Sequence, residues 1–300
     1  LGRGGKMKCI VTGANGMLGN ALCPLLSEKG YEVFATDINI SNINIELLDV
    51  RDFENVKKYI SRVNPDIIFH LAAETDVDKC EIEVKHAYKT NVLGTENIVF
   101  NCMSYDIPLV YISTCSVFDG KKREPYNEFD IPNPISVYSK TKHKGEQIVS
   151  QLLNRFFIFR AGWMIGGGIK DKKFVAKIIE LLKDKKELSV VNDKFGSPTF
   201  TNDFSRKIAQ VIDTERYGLY HITNKGVASR FDIACKIVEI LNKNEVAVKP
   251  ISSAAFPLPA PRPDSEASNN FKLQLLEMDD LPHWEKALRD YISKLIVQEN

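Results

Sequence analysis

The sequence lacks any stretch approaching the roughly 20 apolar residues that span a bilayer, and no apolar secretory core follows its N-terminus. It has no Cys-x-x-Cys pair, and its five histidines show no metal-ligand spacing. The six cysteines (Cys9, Cys23, Cys80, Cys102, Cys115 and Cys235) are scattered and mostly lie in apolar surroundings. That usage predicts reduced thiols in a cytoplasmic protein and no structural metal. Net charge is nearly absent as well: 40 basic against 39 acidic side chains leave +1. Such a balance gives no electrostatic reason to bind nucleic acid or an anionic membrane. Internal repeats and low-complexity tracts are missing too. What remains is a 300-residue chain, 44% hydrophobic and 26% charged, long enough for one large domain or two small ones. Residues 1–6 read as a remnant placed ahead of a natural start at Met7.

Short apolar runs alternate with helical patterns. Strands are expected at Lys8 to Val11, Glu32 to Thr36, Glu46 to Leu48, Asp66 to Ala72, Leu109 to Ser113 and Phe156 to Ala161, with Gly218 to Ile222 a candidate further strand. Helices are expected at Ala21 to Lys29, Asp52 to Val63, Val84 to Tyr105 (one or two) and Tyr138 to Leu153. This alternation predicts βαβ units in an α/β fold, a doubly wound parallel Rossmann sheet. From about Gly162 the pattern loosens into helices at Phe174 to Leu182, Phe231 to Leu241 and Trp284 to Ile296. Residues 7–161 with about 200–225 are therefore expected to form a dinucleotide-binding domain. Residues 162–199 and 226–300 would form a smaller α+β substrate-binding region. The run Phe256-Pro257-Leu258-Pro259-Ala260-Pro261-Arg262-Pro263 fits an ordered extended loop or a plain linker equally well.

Between the first strand and helix lies Thr12-Gly13-Ala14-Asn15-Gly16-Met17-Leu18-Gly19, a Gly-x-x-Gly-x-x-Gly turn. Glycines there let backbone approach a pyrophosphate seated on the helix N-terminus. Asp37 closes the second strand 18 residues beyond Gly19, near the spacing of about 20 at which a carboxylate binds the ribose hydroxyls. A carboxylate repels a 2′-phosphate, and Ile38-Asn39-Ile40 adds no cation, so NAD(H) is expected ahead of NADP(H). Asp49-Val50, Leu71-Ala72-Ala73-Glu74-Thr75 and Ser113-Thr114 fall where strands of such a sheet end, on the ligand side. Tyr138 and Lys142 share one helix face at i and i+4. An ammonium beside a phenol lowers its pKa from about 10, which suits proton exchange with a carbonyl or alcohol. For the pair alone an ordinary surface helix suffices; the glycine turn reverses that balance.

With both motifs present the chain resembles the extended short-chain dehydrogenase/reductase superfamily and, within it, is most similar to the dTDP-4-dehydrorhamnose reductases. Further marks are residues 72–81, Val117-Phe118-Asp119-Gly120, Gly145-Glu146, Arg160-Ala161-Gly162-Trp163, Phe195-Gly196-Ser197-Pro198-Thr199 and Arg262-Pro263. The resemblance implies that Tyr138 donates a proton, Lys142 holds the nicotinamide ribose and tunes Tyr138, and Thr114 hydrogen-bonds the reacting carbonyl. It implies a cofactor lined by Gly13, Asn15, Gly16, Met17, Leu18, Gly19, Asp37, Asp49, Val50, Leu71, Ala72, Ala73, Thr75 and Ser113. Val77, Asp78, Thr114, Cys115 and Trp163 would face a nucleoside-diphosphate sugar, with Arg262 contacting phosphate. The basic clusters Lys121-Lys122-Arg123 and Lys170 to Lys173 are weaker steering candidates, better read as solvated surface. A homodimer is compatible with the resemblance.

Three departures qualify it. Cys115-Ser116 replace the family's usual Asp-Tyr after the threonine, Asp264-Ser265-Glu266 differ from the common pattern after Arg262-Pro263, and Ala21 replaces a metal-binding glutamate found in some members. Cys115-Ser116 cannot supply the acid and base that the related 4,6-dehydratases use, which disfavours dehydration. The expected activity is therefore NAD(P)H-dependent reduction of the 4-keto group of a nucleotide deoxysugar. A nucleotide-sugar 4-epimerase stays open, as does a non-catalytic regulatory homologue resembling the β subunit of methionine adenosyltransferase.

Overall fold

Strand β1 (Lys8–Thr12) runs straight into the glycine turn, and helix α1 (Met17–Glu28) begins as soon as that turn ends. The structure, a computed structural model, describes residues 5–40, 44–168 and 174–299. The expected Lys170 to Lys173 cluster lies outside the described residues. Four further strands and five helices alternate through the first half: β2 (Glu32–Asp37), β3 (Glu46–Leu47), α2 (Phe53–Val63), β4 (Ile67–His70), α3 (Val77–Ile82), α4 (Val84–Tyr88), α5 (Gly94–Tyr105), β5 (Leu109–Thr114) and α6 (Val137–Leu152). A π-turn, Lys89–Leu93, joins α4 to α5. Next come β6 (Phe156–Ala161), β7 (Trp163–Ile165), α7 (Phe174–Leu181), β8 (Glu187–Val191), β9 (Phe195–Gly196), β10 (Pro198–Phe200), α8 (Thr201–Ile212) and β11 (Gly218–Ile222). The chain closes with β12 (Ala228–Ser229), α9 (Arg230–Ile240), β13 (Ala247–Ile251), β14 (Ser265–Glu266), α10 (Phe271–Leu275) and α11 (Trp284–Glu299).

Seven strands make one parallel sheet in the order β11-β6-β5-β4-β1-β2-β3. The order reverses between β1 and β4, and in such sheets ligands bind outside the carboxyl ends of the strands at that reversal. The expected doubly wound α/β sheet is present, and Gly218–Ile222 is its outer strand against β6. Helix α1 starts at Met17, four residues earlier than expected, because Gly16 already serves as its N-cap. The strand expected over Asp66 to Ala72 shortens to Ile67–His70, leaving residues 71 onward free to line the strand end.

Both faces of the sheet are covered. On one face Leu18, Leu22 and Leu26 of α1 pack with Phe204, Ile208 and Val211 of α8 against Val11, Phe69, Phe157 and Phe159. Val56 and Ile60 of α2, Ile98 and Val99 of α5 and Ile148 and Val149 of α6 cover Ile10, Ile68, Tyr111 and Ile158 on the other. A separate core forms beyond the sheet from residues of α7, β8, α9 and α11, including Ile178, Leu188, Ile237 and Leu288. Burying each such side chain contributes about 1.5–3 kcal/mol, which outweighs any local propensity.

Helix α6 is fixed on the sheet by charge as well as by packing. Register sets Ser113 of β5 beside Arg160 of β6, and both reach Glu146 of α6. Arg160 donates to the Glu146 carboxylate at 2.8 and 2.7 Å, and the Ser113 hydroxyl donates at 2.6 Å. Burial alone would raise the Glu146 pKa, yet the Arg160 guanidinium and its hydrogen-bonding neighbours hold it down at about 2. Removing one partner of a buried pair strands the other charge, at a cost of about 3–5 kcal/mol. Glu146→Ala is therefore expected to lose that much in urea unfolding. The wild-type contribution is present above the ordinary carboxylate range and lost as pH falls toward about 2. A loss under about 1 kcal/mol would show that the pair does not hold the helix.

Candidate active site

A cleft of about 1070 Å³ runs along the carboxyl ends of the sheet strands and under the proline-rich loop. Every site residue expected from the sequence lines it except Asp78 and Cys115. At one end the backbone of Gly13 has a φ of +68°, and a Cβ there would lie 2.6 Å from the Ala72 nitrogen, so the turn admits no side chain. Gly16 caps α1 without a side-chain hydrogen bond, leaving first-turn N–H groups for an anion. The Asp37 carboxylate accepts from the backbone N–H groups of Asn15 and Asn39 at 3.0 and 2.9 Å, which aims it at the turn. Arg51 lines the same end but is forked onto Asp49 at 2.8 and 2.6 Å. The Thr90 hydroxyl, in the π-turn bordering the cleft, is buried without a hydrogen-bond partner among the described residues. An anion-ready helix terminus, a carboxylate at ribose distance in sequence and an orphaned hydroxyl together fit a dinucleotide.

Further along, Thr114 ends β5, and its hydroxyl favours the charged form of the Tyr138 phenol on the same cleft wall. Helix α6 is held at its start by Ser136, which caps the Ser139 N–H at 3.2 Å, and by a 2.6 Å bond between the Ser139 and Ser116 hydroxyls. Glu81 of α3 accepts the Val137 N–H at 2.9 Å. These contacts bring Tyr138 and Lys142 to one wall. Asn91, which sequence reasoning missed, accepts from Glu74 N–H at 2.8 Å and donates to Glu74 O and the Thr141 hydroxyl at 3.1 and 3.0 Å. It ties the loop after β4 to α6. An asparagine inside a helical stretch, where propensity disfavours it, was the available signal.

Electrostatics depart from the expected tuning. Burial pushes the Tyr138 phenol upward, with the Glu266 carboxylate adding to the rise and the Thr114 hydroxyl opposing it. Lys142 does not counter this, because its Nζ lies over the Tyr111 ring, 4.2 Å from the centroid. Burial brings the Lys142 ammonium down to about 7, against the attraction of Glu146. In the free protein, then, desolvation outweighs the helix-face pairing of ammonium and phenol. His70, bonded to the Thr12 and Thr95 hydroxyls at 2.8 and 3.1 Å, is lowered to about 3 by burial and by Lys142, so it is a neutral packing group.

Two expected substrate residues sit elsewhere. Cys115 is fully buried, because the 3₁₀ turn Cys115–Val117 rotates it inward, and burial pushes its thiol up to about 12. Ser116 lines the cleft in its place. Asp78 accepts from the Ala260 N–H at 3.1 Å and from Arg262 Nη2 at 3.0 Å. It anchors the proline-rich loop, which is ordered here and roofs the cleft through Pro257, Leu258 and Pro261. Arg230 and Glu266 also face the cleft and were not singled out; only the fold brings them to it.

A parallel sheet with its reversal under a glycine turn, and Thr, Tyr and Lys converging from β5 and α6, is the architecture of the short-chain dehydrogenase/reductase class. Sequence comparison narrows this: the chain belongs to the RmlD substrate binding domain family, whose profile matches residues 7–297. It is similar to the dTDP-4-dehydrorhamnose reductase of Mycolicibacterium smegmatis, at 32% identity over 96% of this chain and 86% of that one. Among solved structures it is similar to a dTDP-4-dehydrorhamnose reductase from Clostridium acetobutylicum, at 38% identity and a TM-score of 0.90 over 96% of this chain and 99% of that one. The dTDP-4-dehydrorhamnose reductase of Bacillus anthracis, solved in complex with NADP, matches at 36% identity with a TM-score of 0.90 over 96% and 99%.

The position of Lys142 generates a direct test. NMR of labelled lysine side chains in the free protein is expected to show one amine titrating near 7, absent from Lys142→Met. If every amine titrates in the ordinary range of about 10, the Lys142 site is solvated rather than buried.

Proposed function

We propose that the chain reduces the 4-keto group of a nucleoside-diphosphate deoxysugar with a nicotinamide cofactor, as a dTDP-4-dehydrorhamnose reductase. The observation that carries this reading is the convergence of Thr114, Tyr138 and Lys142 on the cleft that the glycine turn lines. Residues 7–161 and about 200–225 are assigned to the dinucleotide, 162–199 and 226–300 to the sugar nucleotide. Bound NAD(P)H supplies a hydride to sugar C4. Tyr138 and Thr114 hydrogen-bond the carbonyl oxygen, and as the C=O π pair moves onto that oxygen it takes the Tyr138 proton. The phenolate left behind is stabilised by the Thr114 hydroxyl and regains its proton from solvent, while Lys142 holds the nicotinamide ribose. Val77 and Trp163 border the sugar, and Arg262, with two guanidinium nitrogens already committed to Asp78 and Ala260, presents its remaining donors to the diphosphate. The buried cleft wall strengthens each of these interactions relative to water.

Asp37 supports NAD(H) as the preferred cofactor, since a carboxylate repels a 2′-phosphate and Arg51 is held on Asp49. The Bacillus anthracis relative, solved with NADP, makes NADP(H) the alternative. Steady-state kinetics are expected to give a higher kcat/KM for NADH than NADPH, with Asp37→Ala narrowing the ratio by about tenfold, one displaced charge contact. An unchanged ratio would remove Asp37 as the selector.

The central test is oxidation of NAD(P)H with dTDP-4-keto-6-deoxy-L-mannose. Tyr138→Phe is expected to lower kcat by about 10²–10⁴ while dinucleotide affinity stays constant. Tight dinucleotide binding without turnover by the wild type would return the chain to the epimerase or regulatory reading.

A further inference from the structure

Beyond Tyr138 the cleft ends in a wall made by Trp163, Arg230 and Glu266. Its parts are locked together. Strand β14 pairs with β9 so that Glu266 lies beside Gly196. A Cβ on Gly196 would stand 2.4 Å from the Trp163 indole, so the ring lies directly on that glycine. The Arg230 guanidinium covers the indole at 4.0 Å and meets Phe174 at 5.0 Å. The Trp163 side chain favours the charged form of the Glu266 carboxylate. A carboxylate has about four acceptor sites, and this one has no Lys or Arg nitrogen within 4.0 Å among the described residues. Arg230 and Arg262 lie far enough away to favour its charge without consuming its lone pairs. Glu266 lines the same cleft as Tyr138 and its charge reaches the phenol, so it faces the part of the site where the reacting oxygen must sit.

From this geometry we infer that Glu266 is the specificity residue for the sugar, accepting a hydrogen bond from the hydroxyl on C3, beside the ketone. The inference rests on the proposed reductase activity. A ketone oxygen cannot satisfy a carboxylate. C5 carries the deoxy methyl carbon, which leaves the C3 hydroxyl as the donor adjacent to C4. The fixed indole and the β9–β14 pairing hold the acceptor in place before substrate arrives, so the hydrogen bond costs little reorganisation. A sugar without the C3 hydroxyl would leave a half-buried carboxylate unpaired, which is the stronger basis for rejection.

The test compares kcat/KM for dTDP-4-keto-6-deoxy-L-mannose and its 3-deoxy counterpart in wild type, Glu266→Gln and Glu266→Ala. Wild type is expected to favour the hydroxylated sugar by about 10- to 100-fold, the range of a hydrogen bond to a charged group. Glu266→Ala should reduce that preference to about threefold or less, mainly through KM, with dinucleotide affinity preserved. If Glu266→Ala loses dinucleotide affinity, Glu266→Gln decides: it keeps the shape, trades the anion for an amide, and should still lower the preference about fivefold or more. A preference that survives in the folded variant overturns the inference alone. Failure of wild type to reduce either sugar overturns the reductase reading, and this inference with it.

Discussion

The Glu146–Arg160 ion pair decides where helix α6 lies on the sheet, and the chemistry of the cleft depends on that placement. Three neighbours in space come from three elements: Ser113 on β5, Arg160 on β6 and Glu146 on α6. Thr114 follows Ser113, and Lys142 precedes Glu146 by one helical turn. Any slide of α6 along the sheet would therefore separate Lys142 and Tyr138 from Thr114. An apolar contact would resist such a slide weakly, because one leucine fits a groove about as well as the next. A bidentate guanidinium–carboxylate fork does not tolerate a shift of a residue. The pair is expensive to bury, which fits a role in positioning better than one in net stability.

The same burial shapes the charges. Lys142 pays for desolvation with a pKa near 7, and the face of Tyr111 and the carboxylate of Glu146 give it partial compensation. Tyr138 is pushed in the opposite direction. Both shifts follow from one cause, the removal of water, which disfavours whichever form carries charge. Raising the phenol and lowering the amine makes proton transfer from the one to the other more costly than it is in water. The phenol therefore stays protonated near neutral pH, as a proton donor must be before it acts.

Most of the sheet was readable from the sequence because its strands are short apolar runs bounded by turn residues, and β6 and β11 fall on their expected limits. The glycine turn, Asp37 and the Tyr138–Lys142 spacing are local patterns, so they too were readable. Side-chain sidedness was not. Cys115 follows Thr114 directly, yet the 3₁₀ turn sends one into the core and the other to the cleft, and no periodicity of two or 3.6 applies to a turn of three residues. The tuning of Tyr138 was misread because i, i+4 proximity says nothing about which neighbour a flexible lysine selects. Glu266 and Arg230 were invisible as site residues because they are more than 80 residues from Tyr138 in sequence and reach it only through the β9–β14 and β9–β12 pairings.

The proline-rich loop shows how two weak sequence signals become one strong structural feature. Prolines remove backbone donors and stiffen the chain, which suits a linker as well as a roof. The distinction comes from Asp78, more than 180 residues away, which accepts both a loop N–H and the Arg262 guanidinium. With prolines on either side, the loop loses little additional entropy when those two bonds form, because its unfolded ensemble is already restricted. Asp78 thus acts on the cleft without lining it. By holding Arg262 and Ala260 it fixes the loop that borders the cleft shared by Trp163 and Glu266.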